Sequence, residues 1–88
     1  MRDVYRVLFT KSAERALLRM PRDVAQRTRA KLDLLVQDPY ATQPNVTKLQ
    51  DRPGYRLRVG EWRVIYEIRD EELVVLVLKV GPRGDVYR

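Results

Sequence analysis

Apolar and polar residues alternate along Tyr55-Arg56-Leu57-Arg58-Val59 and again along Trp62-Arg63-Val64-Ile65-Tyr66, with Gly60-Glu61 between the two runs. Period-two alternation predicts half-buried strands, and a two-residue gap that begins with glycine predicts a type II′ hairpin turn. That turn sets the register. Val59 lies opposite Trp62, Leu57 opposite Val64 and Tyr55 opposite Tyr66, so these six residues form one apolar face. On the other face Arg58 lies opposite Arg63, and Arg56 sits diagonally from Arg63, opposite Ile65. Arginines on a strand are usually the solvated side of a sheet. Like charges paired across strands destabilise that sheet, however, so a polyanionic ligand is the competing explanation for three arginines in one small patch.

The remaining segments can be placed around this hairpin. Val4 to Phe9 reads as a first strand with Tyr5, Val7 and Phe9 on one side. Thr10 or Ser12 offers an N-cap, Glu14 lies in the first turn, and Ala13, Ala16, Leu17 and Met20 recur at helical spacing. Pro21 ends that helix and suits the first turn of another, whose stripe is Val24, Thr28, Leu32 and Leu35, widened by Ala25 and Val36 and stopped at Asp38-Pro39. Residues 39–54 hold three prolines and no periodicity, which predicts a loop. Within it Asn45 to Leu49 has the look of a short extended piece, with Leu49 under the sheet. Asp70-Glu71 predicts a second turn. Leu73 to Val80 is almost unbroken aliphatic and suits an interior strand covered on both faces, its facing left open between a two- and a three-residue turn. Gly81-Pro82 is expected to break this strand, and residues 83–88 close the chain. The expectation is one α+β domain over residues 1–88. It is a small antiparallel sheet in the order β-α-α-β-β-β with a short C-terminal tail, covered on one face by an N-terminal helix hairpin and open on its arginine face.

Composition narrows the chemistry. Eighty-eight residues suffice for one small core. No apolar run approaches the ~18–20 residues of a membrane span and the N-terminus lacks a signal-peptide core, so a soluble cytoplasmic protein is expected. Absence of cysteine fits a reducing compartment. Lysine and arginine number 18 against 12 acids, a net charge of +6, which points to nucleic acid, an acidic protein or an anionic membrane surface. The bias toward arginine favours bidentate phosphate contacts. With neither histidine nor cysteine, Ser-His-Asp and Cys-His arrangements, histidine acid-base pairs and the usual transition-metal sites are excluded. The glycines are isolated turn residues rather than a phosphate loop, and Asp70-Glu71-Glu72 reads as a solvated turn rather than a carboxylate site. Arginine, lysine, tyrosine and a few hydroxyls remain, a set suited to phosphodiester electrostatics. In an extended tail Arg83, Asp85 and Tyr87 share a side; Tyr87 either caps the edge of the core or joins the cationic face.

These segments together resemble a known set. The N-terminal strand and helix hairpin, Lys48-Leu49, Tyr55-Arg56-Leu57-Arg58, Trp62-Arg63-Val64-Ile65-Tyr66 and the closing Gly81-Pro82-Arg83-Gly84-Asp85-Val86-Tyr87 resemble, in order and over nearly the whole chain, the RelE/ParE superfamily of bacterial and archaeal toxins. The resemblance implies a compact fold like that of small microbial ribonucleases and a toxin of a type II toxin-antitoxin system. Its RelE-like branch cleaves messenger RNA in the ribosomal A site, inhibiting translation. That branch's catalytic set, carried over by position, falls on Arg56 and Arg58, then Arg63, then Arg83 and Tyr87; Arg58, Arg63, Arg83 and Tyr87 are the catalytic candidates, with Arg56 and Lys48 holding RNA phosphate. Lysine is common at the first two positions in that branch. Arginine stands at both here, so a lysine acid-base role is lost. Implied partners are a cognate acidic antitoxin, the ribosome and mRNA, and operator DNA through the antitoxin complex, with no membrane, cofactor or metal. Two alternatives stand beside this one: a ParE-like inhibitor of DNA gyrase, and a non-catalytic basic module that binds RNA or protein.

Overall fold

The computed structural model describes residues 4–82. The chain forms β1 (Arg6–Phe9), α1 (Lys11–Arg19), α2 (Arg22–Gln37), β2 (Val46–Lys48), β3 (Tyr55–Val59), β4 (Trp62–Arg69), a 3-10 turn (Asp70–Glu72) and β5 (Val74–Pro82). The β3–β4 register is the one the alternation predicts: Val59 pairs with Trp62, Arg58 with Arg63, Leu57 with Val64, Arg56 with Ile65 and Tyr55 with Tyr66. Gly60 has φ +60° while Glu61 stays at negative φ, as a type II′ turn requires.

The sheet has five strands in the order β1-β5-β4-β3-β2. It is mixed rather than wholly antiparallel, because β1 runs parallel to β5. After β1 the helix hairpin carries the chain across one face of the sheet to the far edge, where β2 begins; the returning meander then brings β5 alongside β1 in the same direction. Thr10 makes the corner. Its side-chain oxygen accepts from the Ala13 amide at 3.1 Å, capping α1, while its hydroxyl donates to the Leu78 carbonyl at 2.8 Å. The core lies between this hairpin and the sheet, with Ala13, Leu17, Met20, Leu32, Leu35 and Val36 on one side and Leu57, Val59, Val64, Tyr66, Val75, Val77 and Val80 on the other. Thr28 is fully buried on the helical stripe, and its hydroxyl donates to the Val24 carbonyl at 2.8 Å, which removes the cost of enclosing it. Tyr66 stacks on Tyr55 with ring centroids 5.5 Å apart; burial pushes its phenol up to about 12.

β5 departs from expectation in three ways. Leu73 takes a left-handed conformation after the 3-10 turn, so the strand starts at Val74. Between Ile65–Lys79 and Tyr66–Val77 the register shifts, leaving Leu78 as an extra residue; Val75, Val77 and Val80 therefore all reach the core despite their odd spacing. The strand also runs through Gly81-Pro82, with Gly81 opposite Arg63 and Pro82 opposite Trp62. Proline is tolerated there because its partner Trp62 is the first residue of β4, so the rung lies at the end of that strand. β5 is interior within the sheet, but the helices cover only one of its faces, and Leu76 and Leu78 stay half-buried. Leu49, expected under the sheet, is likewise half-buried.

The acidic turn is exposed and has a tie of its own. Asp70 accepts hydrogen bonds from the hydroxyls of Tyr5 at 2.7 Å and Tyr40 at 2.6 Å, joining the N-terminal strand and the loop after α2 to the β4–β5 connection. The hydrogen bonds from Tyr40 and then Tyr5 hold its carboxyl below the usual range, and the same bond pushes the Tyr40 phenol up to about 12.

Leu32→Ala removes a side chain only 2 % exposed at the centre of this core, and should cost about 2–5 kcal/mol in denaturant unfolding. For Asp70, the depressed folded-state pKa means its contribution is present above the unfolded carboxylate value and is lost as pH falls through the folded one; for Tyr40, the contribution holds below about 10 and is lost as pH rises through about 12. In Asp70→Asn, NMR titration of labelled tyrosines should therefore show the Tyr40 value falling back toward 10 while that of Tyr66 stays raised.

Candidate nucleic-acid interface

The far face of the β2–β3–β4 ladder gathers the cations. Directly opposed residues on neighbouring strands share a face, so Arg58 stands beside Arg63, and Thr47 of β2 stands beside Arg56. The ladder continues one step past β2, where the Arg58 amide donates to the Asn45 carbonyl at 2.9 Å. Asn45 sits at φ 69°, a left-handed conformation that asparagine adopts more readily than most residues. Asn45, Thr47, Arg56, Arg58 and Arg63 together line one cavity of about 320 Å³.

Among the described residues no carboxylate lines this cavity, and neither Arg58 nor Arg63 pairs with an acid. The Arg63 Nη1 lies 3.3 Å from the Trp62 carbonyl and 3.4 Å from that of Gly60, long contacts that lean the guanidinium along the turn without neutralising it. Arg58 is exposed, and Arg56 and Arg63 are half-buried. Guanidinium groups remain charged at any physiological pH, so the cavity presents fixed positive charge with a hydroxyl and an amide beside it. A phosphate group matches that inventory, since its oxygens accept from planar guanidinium forks.

Arg56, Arg58 and Arg63 are thus brought together. Lys48 is not with them: it pairs with Tyr55, which turns it away from the face of Thr47 and Arg56, and it lines an adjoining cavity instead. Arg83 and Tyr87 lie outside the described residues; the described chain ends at Pro82, one rung from Gly81 opposite Arg63. Asn45 and Thr47 are the lining residues that strand patterning did not single out. The signal for Thr47 was present in its alternation with Val46, but its neighbour across the ladder was known only once β2 had paired with β3.

A family model described as the ParE toxin of the type II toxin-antitoxin system, parDE, matches residues 7–87. The solved structures similar to this chain include the archaeal RelE-RelB complex from Pyrococcus horikoshii OT3, with 32% identity over 94% of this chain and 99% of that chain at a TM-score of 0.78. The intact E. coli RelBE toxin-antitoxin complex matches with 28% identity over 91% of this chain and 98% of that chain, at a TM-score of 0.76. The isolated E. coli RelE toxin matches with 27% identity over 94% and 90%, at a TM-score of 0.77. In sequence over almost its whole length, and in the two helices laid on a five-stranded mixed sheet, the chain belongs to the RelE/ParE superfamily of type II toxin-antitoxin toxins.

Proposed function

We propose that this toxin is a RelE-type endoribonuclease that cleaves mRNA in the ribosomal A site and thereby stops translation. The observation that carries the reading is the cavity in which Arg58 and Arg63, neither paired with an acid among the described residues, converge with Arg56. In the proposed reaction the RNA 2′-hydroxyl attacks the adjacent phosphorus, the bond to the 5′-oxygen breaks, and a 2′,3′-cyclic phosphate remains. Arg58 and Arg63 grip the non-bridging oxygens and offset the charge that builds on them. Arg56 holds the same or the neighbouring phosphate. Tyr87 takes the 2′-hydroxyl proton, and Arg83 stabilises the departing 5′-oxygen, which takes its proton from water. Orientation of the message by the ribosome supplies much of the remaining barrier reduction. The reaction uses neither metal nor cofactor. A cognate acidic antitoxin, as in the toxin-antitoxin complexes of the similar structures, would neutralise the net charge of +6 and keep the cytoplasmic toxin silent.

The match to the ParE family model favours a second reading, inhibition of DNA gyrase without RNA cleavage. Induction separates the two: a ribonuclease stops protein synthesis within minutes, whereas a gyrase poison produces DNA damage and filamentation first.

On programmed ribosomes with excess chelator, the wild-type chain should cleave the A-site codon at an undiminished rate. Arg63→Ala and Arg58→Ala should each lower the single-turnover rate about 10²–10³-fold, equivalent to about 2.7–4 kcal/mol, and Tyr87→Phe should shift or flatten the rise of rate with pH. Unchanged cleavage by Arg63→Ala would remove its assigned role.

A further inference from the structure

The loop between β2 and β3 forms a second cavity against the first. It measures about 220 Å³ and is lined by Lys48, Gln50, Asp51 and Arg52 together with Thr47 and Arg56, and these last two also line the arginine cavity. The two spaces are thus neighbours across a shared wall made by one cross-strand pair. The loop has a defined shape. The Leu49 amide donates to the Gly54 carbonyl at 3.0 Å, closing it at its base. Gly54 holds φ +115°, and a Cβ there would stand 2.8 Å from the Tyr66 carbonyl oxygen, so only glycine lets the loop lie this close to β4.

Following the wall from one cavity to the other, the cations run Arg63 and Arg58, then Arg56, then Arg52, with Asp51 as the one carboxylate in either lining among the described residues; Lys48 borders the second cavity from the other face of β2. A single-stranded polynucleotide carries its charge in this way, as a row of phosphates, with bases free to meet hydrogen-bonding groups between them. Arg52 is exposed and has the reach to meet a phosphate, while Gln50 and Asp51 add an amide and a carboxylate to the same lining. We propose that this loop cavity is a second nucleotide subsite, in which Arg52 holds the phosphate next to the one cleaved and Gln50 and Asp51 face that nucleotide's base. The inference rests on the RNA-cleaving reading and extends it: Arg56 bridges the two subsites, and the loop gives the toxin a preference for the nucleotide flanking the cut.

The test uses the full chain, ¹⁵N-labelled, titrated with two non-cleavable 2′-O-methyl RNAs, a dinucleotide and a tetranucleotide. The dinucleotide should move the amide signals of Arg58 and Arg63, and the tetranucleotide should in addition move those of Gln50, Asp51 and Arg52 and bind more tightly. Arg52→Ala should weaken the tetranucleotide about tenfold, the effect of losing one charge-assisted contact, and the dinucleotide less than twofold. Equal affinity for the two RNAs, or equal weakening of both by Arg52→Ala, overturns the subsite while leaving the arginine cavity as the RNA site. Failure of either RNA to move Arg58 and Arg63 overturns the RNA reading itself, and the subsite with it.

Discussion

The structure depends on the register of the β3–β4 hairpin. Leu57 opposite Val64 and Val59 opposite Trp62 place apolar side chains against the helices. Sliding one strand by a single residue would turn arginines into the core and valines into water. Burying an aliphatic side chain is worth about 1.5–3 kcal/mol, against about 0.2–1 kcal/mol for a repulsive pair across strands. The apolar pairs therefore dictate where the cations stand. Arg58 faces Arg63 because the residues flanking each must be buried, and the sheet bears the repulsion.

One-sided cover makes this arrangement usable. α1 and α2 lie on the same face, anchored at the Thr10 corner, and neither covers the opposite face, where Arg58 is exposed and Arg56 and Arg63 are half-buried. Because the helix hairpin crosses the whole sheet before β2 begins, the short strand is delivered to the edge beside β3, where Thr47 and Asn45 complete a cavity that the arginines alone would leave open. The glycine at 54 then lets the connecting loop fold back against β4 rather than stand away from it.

With neither histidine nor cysteine in the chain, fixed charge and position carry most of the proposed reaction, with a tyrosine as its base. Guanidinium groups suit this well, since they hold their charge and their planar geometry whatever the pH. In the proposed reaction they stabilise a transition state whose charge exceeds that of the substrate, while the larger part of the orientation comes from outside the protein.

The hairpin, its turn, both helices and the arginine face were legible from spacing, because each is local: period two, period 3.6, a capping threonine and a proline act within a few residues. The candidate set at Arg56, Arg58 and Arg63 followed from the same alternation. Other features were not local. Whether β5 runs beside β1 in parallel, where the Leu78 bulge falls, that Gly81-Pro82 stays in the ladder, and that Asp70 ties two tyrosines from distant segments all depend on contacts between residues far apart in the chain. Lys48 illustrates the division: its charge was evident from its identity, but only the pairing of β2 with β3 decided that it lines the neighbouring cavity and not the one that holds the arginines. The sequence by itself determined which residues alternate and which carry charge; the tertiary structure decided which of them meet, because strand pairing across long loops is set by burial of the whole sheet and not by any one segment.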